Sequence, residues 1–198
     1  MAGQAIQLDH ITQDDVIARC VIYPIHFVDD GVFSKNALMR FENITKVSKP
    51  DYAISVVPRS LLATEDEVHQ YGCRTASRKN VRMFQKWGID GTIQNRSFYC
   101  GYYEIEVSTV LDISQDEYSV QVVLSPENSE PSHSEIQFIA NTNKTQTQLR
   151  DARGDLLIKL NSKLRGPQRH ICSTDKSHAD LVARLELPSL PANQNVVL

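Results

Sequence analysis

Apolar and polar positions follow two periods along this chain, and the period of two is clearest near its middle. Tyr103, Ile105, Val107 and Thr109 alternate with Tyr102, Glu104, Glu106 and Ser108, the pattern of a strand with one wet face. A polar break over residues 112–117 follows, and then Tyr118, Val120, Val122 and Leu124 alternate with Ser119 and Gln121. Two such runs joined by a short polar segment predict an antiparallel hairpin over about residues 99–124, at the centre of a sheet. Further strands are predicted over 16–25, ending at Pro24, and over 53–57, closed by Pro58. Others fall over 89–97, over 134–140, and over 181–187, where Leu181, Ala183, Leu185 and Leu187 alternate.

The helical period appears in three places. Ser34 is placed to cap a short helix carrying Ala37, Leu38 and Phe41. Thr64-Glu65-Asp66-Glu67 fits a capping box. The helix it opens is expected to end near Gly72, and a second runs over 77–87 with Val81, Phe84 and Trp87 facing inward and Gly88 stopping it. Leu149, Ala152, Leu156, Leu160 and Leu164 form one stripe over 145–164. Gly154 weakens that helix by about 1 kcal/mol relative to alanine, and Gly166 and Pro167 end it.

Strands that come as hairpins and are interrupted by helices (about 64–87 and 145–164) predict an α+β fold with a mostly antiparallel sheet. The division expected is a polar lead-in over 1–14, a single α+β domain over 15–188 and a loose tail over 189–198.

Composition narrows the class without naming a function. With 198 residues, 41% of them hydrophobic and 23% charged, the chain can bury a core without staples. Cys20, Cys73, Cys100 and Cys172 are scattered with no CxxC pair, so neither a metal site nor a disulfide is expected. No apolar run approaches a membrane span, and the opening MAGQAIQLDH has neither the basic nor the apolar part of a signal peptide. These features predict a cytoplasmic, reduced, soluble protein, in which the sequons at Asn43, Asn95 and Asn143 are chance matches.

Charge changes the picture more. The formal net charge of -3 argues against a generally basic nucleic-acid binder. Yet Arg74, Arg78, Lys79, Arg82 and Lys86 give five cations between residues 74 and 88, on and just before the second predicted helix, with no acid among them. Arg78, Arg82 and Lys86 are four apart, on one face, where like charges repel by a few tenths of a kcal/mol. A phosphate-bearing ligand, a nucleic acid or an acidic protein would offset that repulsion. The plainer alternative is a solvated face answered by Glu65, Asp66 and Glu67. The leading expectation is an intracellular accessory protein that needs no cofactor and binds a phosphate-rich or acidic macromolecule through this helix. A second basic stretch, Arg150, Arg153, Lys159, Lys163, Arg165 and Arg169, is diluted by Asp151 and Asp155.

The six histidines form no HxxxH or HxH pair, so no local zinc motif is present. His133, in Ser132-His133-Ser134-Glu135, opens a predicted strand, and His26 follows the first one. Strand ends on a common edge would join them to Ser34 or Arg59. Phe98, Tyr99, Tyr102 and Tyr103 offer ring faces, but Glu104 and Glu106 would repel phosphate there. Walker-type loops, GxGxxG, GxSxG and HExxH are absent from the sequence.

Arg19 on the first strand, Ser55 in Ile54-Ser55-Val56 and Glu135 on a late strand resemble the order of residues in ADP-ribosyltransferase-like folds. That resemblance implies, as the competing expectation, an NAD-using transferase or toxin. Arg19 and Ser55 would hold NAD, Glu135 would orient the ribose for attack, and His133 would assist. The stretch over 21–136 is also similar to a group of small uncharacterised bacterial proteins. The likeness is carried by Pro24, Gly31-Val32-Phe33-Ser34, Ile54-Ser55-Val56, Gly88 and Ser132-His133-Ser134-Glu135-Ile136, and it implies no function.

Overall fold

The computed structural model describes residues 11–28, 32–34, 38, 42–43, 51–62, 64–87, 97–127, 130–170, 180, 185 and 187. Its main sheet is built from β1 (Val16–Tyr23), β5 (Tyr52–Pro58), β6 (Phe98–Glu106), β7 (Tyr118–Leu124), β8 (Ser134–Ala140) and β9 (Arg165–Arg169). They lie in the order β7-β8-β5-β1-β6-β9, and β4 (Glu42–Asn43) also pairs with β5. Every pairing is antiparallel. A separate two-stranded ladder joins β2 (Phe27–Val28) to β3 (Val32–Phe33). The helices bounded among the described residues are α1 (Glu65–Trp87), the short α2 (Val107–Leu111) and α3 (Gln146–Lys163). The fold is α+β, and none of the described helices is long and apolar enough to cross a membrane.

β1 is buried on both faces, which explains why its sequence is nearly all apolar. Ile17 and Val21 enter a large aliphatic core with Ile54, Ile136, Phe138 and the α3 stripe Leu149, Leu156 and Leu160. Ala18, Cys20 and Ile22 enter a second core with Val68, Tyr71 and Ala76 of α1 and with Tyr99 and Tyr102 of β6. Each fully buried leucine or isoleucine contributes about 1.5–3 kcal/mol by leaving water. Both long helices start as capping boxes. Thr64 N–H donates to Glu67 Oε2 at 3.0 Å while Glu67 N–H donates to Thr64 Oγ1 at 3.2 Å. Thr145 and Gln148 repeat the arrangement in α3, which continues unbroken through Gly154.

Four expectations are revised. First, the two runs predicted as a central hairpin are both strands but do not pair with each other. β6 lies between β1 and β9, while β7 sits at the far edge beside β8. Val107–Leu111 leaves the strand pattern and becomes α2, burying Val107 and Val110. Alternation reports which residues share a face, not which strand lies alongside.

Second, α1 does not end at Gly72. A side chain at Gly72 would place its Cβ 2.2 Å from a ring carbon of Tyr99. The glycine therefore lets Tyr99 lie on the helix, which runs on for 23 residues in all. Third, Val81 is 54% exposed rather than inward. Fourth, Cys73 is disulfide-bonded, whereas the buried Cys20 and Cys100 are free. Spacing in sequence carries no information about which sulfurs a fold brings together. The predicted strand over 89–96, most of 35–41 and most of 181–187 lie outside the described residues. Leu38, Leu185 and Leu187 are described, and all three are buried.

Candidate anion-binding cleft

β1 pairs with β6 from Val16↔Glu106 to Tyr23↔Phe98, but with β5 only at Ile17↔Pro58 and Ala18↔Val57. Beyond Ala18 the two strands part. The Arg19 side chain bridges the gap. Its Nε donates to the Leu38 carbonyl at 2.8 Å and its Nη1 to the Ser55 carbonyl at 2.7 Å. Over this gap opens a cleft of about 910 Å³, at the upper end of the range for ligand sites.

Its lining is cationic. α1 contributes Arg78, Lys79 and Arg82, α3 contributes Arg150 and Arg153, and β1 contributes Arg19. Glu127 is the one carboxylate among the described lining residues. Arg153 Nη1 donates to Tyr52 Oη at 3.0 Å, and its guanidinium stands 5.2 Å from the centre of the Tyr52 ring. Tyr71 and Thr75 of α1 complete that wall.

The basic helix divides into two parts. Arg74 lies outside the cleft and grips Glu130, Nε to Oε1 at 2.7 Å and Nη2 to Oε2 at 3.1 Å. That hydrogen bond is the main reason its pKa is raised further. Glu130 is only 2% exposed, so its charge needs this partner. Arg78 faces the cleft but also meets Glu127 at 3.3 Å and Glu130 at 3.5 Å. The carboxylates that meet Arg74 and Arg78 thus come from the loop between β7 and β8, not from Glu65, Asp66 and Glu67. Glu65 instead lies 3.5 Å from His69. Lys79 and the exposed Arg82 also line the cleft. Lys86 stands in the last turn of α1, and its side chain is outside the description.

Two histidines line the cleft, and the backbone sets opposite tautomers for them. His133 Nδ1 lies 2.6 Å from the Ser125 carbonyl, which only accepts, so Nδ1 carries a proton. His26 Nδ1 lies 3.0 Å from Ile22 N–H, which only donates, so in the neutral ring the proton is on Nε2. Burial, then the charges of Arg19 and Lys79, hold His26 well below its ordinary pKa, and it is neutral. Cys20 also lines the cleft, but burial pushes its thiol up to about 12, so it supplies no thiolate nucleophile.

The cleft gathers Arg19, Ser55 and His133, but Glu135 is not among its lining residues. Glu135 sits opposite Ser55 on β8, one strand farther from the gap, and accepts from Gln137 Nε2 at 2.9 Å. Ser34 N–H donates to the His26 carbonyl at 3.0 Å. Arg59 is elsewhere, 3.4 Å from Glu104. Of the second basic stretch, Arg165 pairs with Glu106 at 2.6 Å and Arg169 donates to the Leu187 carbonyl at 3.4 Å. Phe98, Tyr99, Tyr102 and Tyr103 are all core residues and present no open stacking platform. His69 accepts or donates at Tyr99 Oη, 3.0 Å away, and stacks on His170 with centroids 4.2 Å apart. No group of three or more metal-ligating side chains occurs among the described residues.

Arg150 and Arg153 are the wall residues that charge counting undervalued, because Asp151 and Asp155 mask them in sequence. The helical period held the available signal, since it places Arg150, Arg153 and Leu157 along one side of α3. No protein-family model, no curated protein and no solved structure matches this chain.

Proposed function

We propose that the protein works by binding a phosphate-rich partner, a nucleic-acid strand, in the cationic cleft. The observation that carries this reading is the lining itself. Arg19, Arg78, Lys79, Arg82, Arg150 and Arg153 converge from three elements on one cleft, with Glu127 the one carboxylate among the described lining residues, in a chain of net charge -3. Arginine dominates the set, and its planar fork matches phosphate oxygens two at a time and stacks on base rings. The half-buried Tyr52 ring in the lining adds apolar surface for bases.

The test must avoid the cations that hold the fold. Reversing Arg78 would press a carboxylate against buried Glu130, so loss of binding in that variant would be ambiguous. Arg82→Glu with Arg150→Glu changes two exposed residues. The expected result is a loss of at least about a hundredfold in affinity for a single-stranded oligonucleotide at moderate salt, with the melting temperature unchanged. Wild-type affinity should also fall with salt, with a log–log slope of roughly -2 to -4 for three to five phosphate contacts. Binding that ignores both salt and the double variant refutes the reading. Preference for a poly-glutamate peptide over the oligonucleotide would transfer the site to an acidic protein.

A further inference from the structure

The cleft has a floor as well as walls, and the floor has a chemistry of its own. His26 is 4% exposed and lines the cleft beside Arg19. Its Nε2–H, assigned above from the Ile22 contact, stands 3.5 Å from Arg19 Nη2. That neighbour is also a donor. The opposite tautomer would instead set two donors against each other at the shorter distance of 3.0 Å at Ile22. Thus a buried N–H of a cleft-lining ring faces the Arg19 guanidinium, a neighbour that offers it no lone pair. A buried donor left in that state costs about 1–3 kcal/mol. An oxygen bearing negative charge, placed between His26 and Arg19, would accept from the ring and be attracted by the guanidinium.

From this we infer that the floor is a subsite for one terminal phosphate group, so that the cleft takes a phosphate-ended strand end-on. The inference rests on the proposed binding function and specifies which part of the partner enters first. A terminal phosphate fits where an internal one does not. An internal phosphodiester carries a nucleotide on each side, and both would have to be accommodated at a ring only 4% exposed, beside a guanidinium tied to the Leu38 and Ser55 carbonyls. A terminal group needs access from one side only. The strand behind it would then run between Arg78, Lys79 and Arg82 on one wall and Arg150 and Arg153 on the other.

Calorimetric titration of the wild-type chain with three oligothymidylate octamers tests this directly. One carries a 5′-phosphate, one a 3′-phosphate, and one hydroxyls at both ends. At least one phosphorylated form should bind about tenfold or more tightly than the hydroxyl form, the range of one charge-assisted hydrogen bond. Inorganic phosphate should erase that advantage without displacing the hydroxyl form. NAD, which has no terminal phosphate, should not erase it. In His26→Leu, checked for folding by its near-ultraviolet circular dichroism, the preference should vanish while affinity for the hydroxyl form stays. Equal affinity for all three octamers overturns the end-on subsite but leaves the binding function standing. Binding of none overturns both. An advantage that NAD removes as well as phosphate does also overturns the subsite. Should His26→Leu not fold, the wild-type ratio and the phosphate competition decide alone.

Discussion

Along its β6 side, β1 is paired from end to end, whereas along its β5 side the ladder stops after two positions. The same strand thus has a closed flank and an open one. On the closed flank, backbone hydrogen bonds do the joining, and they depend little on which residues are present. Behind it the side chains pack to contact, with the Tyr99 ring lying directly on Gly72 of α1. On the open flank the ladder is replaced by particular side chains. Arg19 reaches the Leu38 and Ser55 carbonyls, and the His26 ring takes up the Ile22 N–H. The comparison teaches that the cleft is a controlled gap in a sheet. The groups that hold the gap apart are also the groups that line it.

Removing the bridge should have the largest effect. Arg19→Met keeps most of the apolar stem but leaves two carbonyls without their charged donor. The expected cost is about 3 kcal/mol, since hydrogen bonds to charged groups contribute about 1.5–3 kcal/mol each. Denaturant unfolding measures it, and a change below about 1 kcal/mol would show that the open flank stands without Arg19.

The closed flank has its own test. Gly72→Ala gains about 1 kcal/mol of helix propensity, yet its Cβ would overlap the Tyr99 ring, so a net loss of about 2 kcal/mol is expected from overpacking. The double variant Gly72→Ala with Tyr99→Leu should recover part of that loss. If Gly72→Ala alone stabilises the protein, the packing of α1 on β6 is looser than described.

The smallest effect comes from pH. Burial first, then Arg19 and Lys79, depress the pKa of His26 in the folded chain. Below the ordinary pKa of about 6.5 the unfolded chain binds a proton that the folded one refuses. Stability contributed by neutral His26 is therefore complete above that pH and is lost as pH falls towards the folded-state pKa. The slope approaches one proton, about 1.4 kcal/mol per pH unit. Unfolding free energies measured between pH 7 and 5 should decline in the wild type and decline less in His26→Leu. Equal slopes would mean that the ring is not held neutral by the fold.

Local rules were legible in the residues. The capping box at Thr64, the stripe Leu149, Ala152, Leu156 and Leu160, and the strands at 52–58 and 134–140 all depend on contacts within a few positions of chain. The places where expectation and structure part are those where a distant residue intervenes. Tyr99 turns Gly72 from a stop into a point of close approach. Glu127 and Glu130, about fifty positions along, take up Arg74 and Arg78. The run from Tyr103 to Thr109 obeys one alternation on paper, but burying Val107 and Val110 in the core favours a turn of helix at its end.

By itself, then, the sequence determined the strands at 16–23, 52–58, 98–106, 118–124 and 134–140, the capped starts of both long helices, the apolar stripe of α3, and that one helical stretch is unusually rich in cations. Periodicity and capping act over one or two turns, so they can be read without knowing what lies across the molecule. Tertiary structure alone decided that β6 and β7 belong to different parts of the sheet, that β1 and β5 separate beyond Ala18, and which cations face the resulting cleft. Strand partners and charge neighbours are chosen by packing between segments far apart in the chain, and no local pattern records that choice.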